Sequence, residues 1–235
     1  MRLINFLKNN LFLQNFASWA ITKVPSVVEH NLGKYLAIKK AFYFTGLEQL
    51  EGDYMEFGVF TGSSFVCAMR CHKSLAFLGE IKTKFYGFDS FAGFGEVSQD
   101  DMHPFYHTST FSTHQEKVIG NIKNKAKDLA VEIIPGFFED TLKDRTAKSL
   151  GIKKARVVLI DCDLKRPAEL ALEFIEPVLQ QGTIVIMDDF YSYKGSEEKG
   201  LSGAFGDFCK RYPDIAWRKV YDYGYGGVAY IVSKI

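Results

Sequence analysis

The stretch "DYMEFGVFTGSS", Asp53–Ser64, decides the fold. Residues 53–59 form a short apolar run suited to a buried strand. It breaks at Gly58 and Gly62, with Thr61, Ser63 and Ser64 around the second glycine, and a helical pattern then occupies 62–79. A strand that turns through glycines straight into a helix opens a strand-helix-strand unit. The same alternation continues: strands at 84–89, 130–136, 155–163 and 183–189, and helices at 114–128, 140–150, 167–180 and 197–211. Repetition of this kind predicts an α/β fold built on a doubly wound, mostly parallel sheet with right-handed crossovers. Two last strands, 215–221 and 227–233, are joined through "DYGYGG" and predict an antiparallel edge hairpin, which makes seven strands. Residues 51–235 read as one domain and residues 1–50 as a helical N-terminal extension, serving as a lid or dimer contact.

Composition narrows the partners. Lys+Arg number 29 against 28 Asp+Glu, so no basic footprint for nucleic acid exists. Phe occurs 21 times, which fits a large core or an aromatic-lined site. The four cysteines, Cys67, Cys71, Cys162 and Cys209, include no CxxC spacing, consistent with a reducing, cytoplasmic setting. The opening segment, residues 1–25, lacks a continuous apolar span or a small-residue cleavage site and reads as one or two amphipathic helices. Core or dimer packing is the main expectation for it, the dimer contact giving a homo-oligomer; contact with a membrane surface is the alternative.

In a doubly wound sheet, ligands bind beyond the carboxyl ends of the strands. Five of those ends carry unusual residues: Glu56 with Gly58, Asp89, Gly136, Asp161 with Asp163, and Asp188 with Asp189. The glycine turn after strand one, with hydroxyls at Thr61 and Ser63, lets a ligand approach backbone and a helix N-terminus. Its spacing is not the dinucleotide GxGxxG, which weakens an NAD-dependent oxidoreductase reading. Asp89, followed by Ser90, is placed to accept from ribose hydroxyls, or else to cap a turn. After Gly136, Phe137 or Phe138 can stack on a base.

These segments together resemble a known family. "EFGVFTGSS", "GFDSFAGF", "PGFFEDT", "LIDCDL" and "GTIVIMDDF", in order between Tyr54 and Phe208, are similar to the class I S-adenosylmethionine-dependent methyltransferases. Within these, the match is to the macrocin O-methyltransferase type, whose best-known members methylate deoxysugar hydroxyls of macrolide antibiotics. The resemblance implies a Rossmann-like methyltransferase domain with S-adenosyl-L-methionine as cofactor. Glu56 and Gly58 would contact the methionine part, Asp89 with Ser90 the ribose, and Gly136 with Phe137 the adenine; Thr61, Ser63 and Asp161 complete the cofactor set.

Asp161 and Asp188 end neighbouring strands, so Asp161, Asp188 and Asp189 can converge. Three converging carboxylates need a cation, and oxygen ligands favour Mg²⁺ or another hard divalent ion; none of the five histidines is spaced as a zinc partner. The resemblance implies the same metal site. Asp161 is then the candidate catalytic base, taking the proton from a hydroxyl whose pKa the metal lowers. The expected function is metal-dependent methylation of a hydroxyl on a sugar, a sugar-containing natural product or a glycan. The alternatives are a catechol or phenol acceptor, or a nucleotide-binding module without turnover.

Many members of that family follow the fourth-strand acidic residues with a Tyr-Glu-Ser-Thr type segment, whereas this chain reads "DCDLKRPAEL". Lys165 and Arg166 are thereby candidate contacts for an acidic substrate group, or a solvated pair ahead of a helix started by Pro167. The long segment between Phe91 and His114 reads as a lid whose His103 and His107 are candidate acid-base or acceptor-contact residues, or else simply exposed, and residues 191–203 read as a second wall offering Tyr191 and Tyr193 to a sugar ring.

Overall fold

The computed structural model describes residues 10–99, 101–108 and 110–235. Seven strands form one sheet: β1 (Asp53–Phe57), β2 (Phe85–Asp89), β3 (Val131–Pro135), β4 (Ala155–Ile160), β5 (Ile184–Met187), β6 (Ala216–Tyr223) and β7 (Gly227–Lys234). Their order is β3-β2-β1-β4-β5-β7-β6. The first five are parallel, and β7 runs antiparallel to β5 and to β6. The strand order reverses between β1 and β4, the switch point where such sheets bind ligands.

Among the described residues, six helices of two turns or more accompany the sheet: α1 (Leu11–Ile21), α2 (Ser26–Leu47), α3 (Ser63–Ser74), α4 (Gln115–Ala126), α5 (Lys165–Ile175) and α6 (Gly200–Arg211). β4 and β5 are buried at every position and, apart from Arg156, apolar, as strands covered on both faces are. Alternation divides the core. Met55, Phe57, Val158, Ile160, Val185 and Met187 pack with α5 and α6 on one face. Tyr54, Phe85, Val157, Leu159, Ile184 and Ile186 pack with α2, α3 and α4 on the other.

The expected extension is thus partly core. Ala37, Ile38, Ala41 and Phe42 of α2 are fully buried against the sheet. Arg156 of β4 ties down the far end of that helix, donating to Thr45 Oγ1 (2.8 Å), the Phe42 carbonyl (3.3 Å) and Thr83 Oγ1 (3.3 Å). Burial lowers its pKa to about 10. α1, capped by the Asn10 side chain at 3.2 Å, buries none of its residues, and Phe12, Phe16 and Trp19 are exposed. Residues 1–9 of the expected N-terminal helix lie outside the described residues. No described helix is long and apolar enough to cross a membrane.

Two boundaries differ from expectation. The helix expected at 140–150 is one turn, Phe138–Thr141, and a separate 3-10 turn, Ala147–Leu150. Asp144 between them takes a positive φ of 60°, which a continuous helix does not permit. β4 and β5 also stop before their acidic residues, at Ile160 and Met187. Register then sets the site. Phe57 pairs with Phe88 and Ile160, and Ile160 with Met187, so Gly58, Asp89, Asp161 and Asp188 follow as one row at the carboxyl edge of the sheet.

Candidate active site

A cavity of about 670 Å³ opens over that row. Its size is in the range of small-molecule sites. One end is the β1–α3 turn, with Gly58, Thr61, Ser63 and Ser64; Asp89, Ser90 and Phe137 face it. The other end holds Asp161, Asp163, Asp188 and Asp189 with His30, Lys34 and Tyr225.

Two features hold the first end in shape. Gly58 has φ +94°, and a Cβ there would lie 1.9 Å from the Asp161 carbonyl oxygen, so β1 and β4 approach only because this residue has no side chain. Asp89 accepts from three backbone amides: Val59 at 2.6 Å, Phe60 at 2.7 Å and Phe91 at 2.5 Å. Burial raises its pKa against those three bonds. Its Oδ1 accepts the Phe91 amide and keeps capacity for a second hydrogen bond, on a residue that lines the cavity. Ser90 is turned into its own loop, donating to the Gly93 carbonyl at 2.8 Å. Gly136, at φ +136°, donates its amide to the Asp89 carbonyl and so aligns β3 with β2, while Phe137 beside it lines the cavity, 36% exposed.

Glu56 lies one layer below. It is fully buried and accepts from Ser64 Oγ (2.6 Å) and the Tyr54 hydroxyl, so it reaches the cavity only through Ser64. Burial pushes its pKa up to about 7, from an ordinary 4.5. The folded chain therefore binds this proton more tightly than the unfolded chain does. Its favourable contribution is complete below pH 4.5 and is lost as pH rises to about 7. Glu56→Gln should flatten that part of the stability-pH curve, measured by urea unfolding at intervals from pH 4.5 to 8; an unchanged slope would place the titration elsewhere.

The second end is where sequence reading missed two residues. Lys34, on α2 and 8% exposed, sits between two carboxylates, its Nζ 2.7 Å from Asp161 Oδ2 and 2.6 Å from Asp188 Oδ2. His30, one turn earlier, places Nε2 3.1 Å from both Asp188 oxygens. Its Nδ1 accepts the Tyr225 amide at 3.3 Å, which puts the ring proton on Nε2. Tyr223 donates to Asp188 Oδ1 at 2.7 Å. The signal was present as "HNLGK", a His and a Lys four apart on one helical face. Their partners lie more than a hundred residues away, beyond the reach of local pattern.

The charges sort accordingly. Burial alone would raise the Asp188 carboxyl, but the Lys34 charge and the His30 hydrogen bond outweigh it and hold it below the usual range. At Asp161 burial wins against Lys34 and lifts the carboxyl well above that range. Asp163 is likewise raised, by burial and by the nearby Asp189. Asp189 and Asp163 both take left-handed backbone, φ 47° and 58°, which turns each acidic pair out of strand geometry and into the cavity. Asp161, Asp188 and Asp189 each bring one oxygen to within 4.8 Å of the others.

The acceptor-side candidates named from the sequence stand away from the cavity. Lys165 pairs with Asp207 (2.7 Å) and Arg166 with Glu169 (3.1 Å), both away from the cavity, because Pro167 is the residue of that segment turned inward. His103 stacks on Tyr106 at 4.3 Å and meets Tyr193 at 5.2 Å, and neither it nor His107 lines the cavity. Tyr193 donates to the Asp101 carbonyl and Tyr191 to Asp222. Asp101 also accepts the Lys165 amide at 3.1 Å, so the 91–114 segment is pinned to the start of α5. The aromatic wall is built instead from Phe60, Phe94, Phe105, Phe111 and Tyr225.

The family model described as Macrocin-O-methyltransferase (TylF) matches residues 35–201. An 8-demethyl-8-(2,3-dimethoxy-alpha-L-rhamnosyl)-tetracenomycin-C 4'-O-methyltransferase of Streptomyces olivaceus is 30% identical over 149 residues, covering 59% of this chain and 53% of the relative. The aligned stretch therefore spans about half of that relative's length. Among solved structures, the O-methyltransferase NovP superposes with a TM-score of 0.68 at 23% identity, covering 86% of this chain and 80% of the other. CalS11, a calicheamicin methyltransferase, superposes with a TM-score of 0.65 at 20% identity, covering 98% and 90%. These likenesses show that the α/β sheet has the methyltransferase fold.

Proposed function

Because the chain belongs to the macrocin O-methyltransferase family, we propose that it transfers a methyl group from S-adenosyl-L-methionine to a hydroxyl of a sugar, in a natural product or a glycan. One observation carries the reading. A single cavity joins a glycine turn with a buried carboxylate at one end to a cluster of acidic residues at the other. The named activity of the tetracenomycin relative, a methylation on a rhamnosyl group, supports a sugar acceptor.

The first end fits the cofactor. Asp89 keeps one acceptor site for a ribose hydroxyl, Phe137 offers a face to the base, and Gly58 with Ser63 and Ser64 leaves a cradle at the start of α3. When bound, S-adenosylmethionine supplies a methyl group already activated on a sulfonium. The protein's task is then alignment of the acceptor oxygen with that methyl group and removal of the hydroxyl proton. Asp161, at the acidic end, has a raised carboxyl suited to take that proton. The aromatic wall packs the acceptor and excludes water.

The second end fits a hard divalent ion by its donor chemistry, three carboxylate oxygens within 4.8 Å. Asp161, Asp188 and Asp189 would hold Mg²⁺ or a similar ion, which supplies Lewis-acid polarisation of a hydroxyl. His30 and Tyr223 keep the Asp188 carboxylate oriented in either case.

Isothermal titration with S-adenosylmethionine, followed by mass spectrometry of a panel of deoxysugar conjugates and phenols, tests the proposal. Binding with methyl gain on a sugar hydroxyl is the expected result; methyl gain on phenols alone, or binding without transfer, would refute it. Asp89→Ala should weaken cofactor binding at least about tenfold, since it removes the ribose acceptor and frees the β1–α3 turn.

A further inference from the structure

The geometry points to Lys34 and a divalent cation as alternative occupants of one place: the ammonium neutralises the acidic cluster when no ion is bound, and swings out when one binds. The inference rests on the ion site proposed above and concerns what this chain adds to it. The two oxygens that Lys34 holds, Asp161 Oδ2 and Asp188 Oδ2, belong to two of the three carboxylates that would ligate the ion. A divalent ion takes such oxygens at about 2.0–2.6 Å and would then stand in contact with a positive group. The ion and the ammonium repel one another there, so one excludes the other.

The exchange is a side-chain movement. α2 stays in place, because Ala37, Ile38 and Ala41 are buried in the core, and Gly33 packs so closely on the Gly224 backbone that the helix cannot shift toward it. The four-carbon stem of a lysine can instead reorient. Lys34 itself lines the open cavity together with Asn31, a polar neighbour on the same helix, so the freed ammonium has open space to enter. Ion binding would thus place a cation beside the acceptor at the moment the metal arrives. That coupling links the N-terminal helix to the reaction without moving its backbone.

Mn²⁺ serves as the probe, with the full-length protein. Lys34→Met keeps the apolar stem and removes the competitor, so Mn²⁺ affinity by titration calorimetry should rise at least about tenfold, roughly the loss of one competing interaction. Equal or weaker affinity overturns the exchange while leaving the ion site standing; no binding by either protein overturns both. Because the variant loses the counter-charge of two buried carboxylates and can fail to fold, the wild type is tested as well. Pulse acetylation read by mass spectrometry should show Lys34 protected without Mn²⁺ and several-fold more reactive at saturating Mn²⁺, relative to the exposed Lys210. Unchanged or reduced Lys34 labelling at saturation overturns the proposal.

Discussion

Gly58→Ala should cost about 3 kcal/mol or more of folding free energy and abolish activity in whatever folds. The added Cβ would stand 1.9 Å from the Asp161 carbonyl oxygen and would hold a φ of +94° that alanine adopts only under strain. Neither neighbour can yield cheaply. The Gly58 amide donates to Phe88, and the Asp161 amide to Phe57, so relief of the contact breaks ladder bonds at the centre of the sheet. For a chain of this length such a loss lowers the melting temperature by about 6–12 °C. Thermal unfolding followed by circular dichroism measures it, and a shift below about 2 °C would mean that β1 and β4 do not approach as described. The control is Gly120→Ala on α4, where a Cβ meets nothing within 4 Å and which should be neutral or slightly stabilising.

Asp161→Asn should lower kcat by about 10²–10⁴, the usual worth of a general base. An amide keeps the size of the side chain but cannot take the acceptor's proton. It also removes one of the two carboxylates that hold Lys34, leaving only Asp188. Cofactor affinity should change far less, because Asp89 and the β1–α3 turn stand apart from this substitution. The pH profile separates catalysis from packing. Burial raises the Asp161 carboxyl well above the ordinary range, so wild-type kcat/KM should climb with pH as the group loses its proton, and that limb should vanish in the variant. Full activity with an unchanged profile would assign the base elsewhere.

Much of this arrangement was legible in the sequence, because its signals are local. Strands β1, β2, β4 and β5 announce themselves as apolar runs, each ended by Gly58, Asp89, Asp161 or Asp188, and topology alone gathers those ends into one row. The edge hairpin followed from two β-rich runs separated by a glycine-rich link. The contribution of α2 was not legible. Its hydrophobic residues match a surface helix as well as a core one, and the partner that decides the matter, Asp188 for both His30 and Lys34, lies just past a strand far along the chain.

Side-chain direction was the other gap. Lys165 and Arg166 sit next to the acidic motif in sequence, yet the start of α5 turns them to Asp207 and Glu169. Tyr191 and Tyr193 follow the acidic pair but are consumed by Asp222 and by the His103–Tyr106 stack, while Tyr225, from a hairpin turn, takes the place in the cavity. Adjacency along a loop says little about which way a ring points, because positive-φ residues such as Asp189, Tyr193 and Lys194 redirect the chain within a few positions.

The most direct test of the two-ended cavity is a crystal structure with S-adenosylhomocysteine, the demethylated product. The account predicts the ribose hydroxyls on Asp89, the adenine against Phe137 and the sulfur directed along the cavity toward Asp161. A nucleoside bound at the Asp188 end, or a sulfur turned away from Asp161, would contradict it.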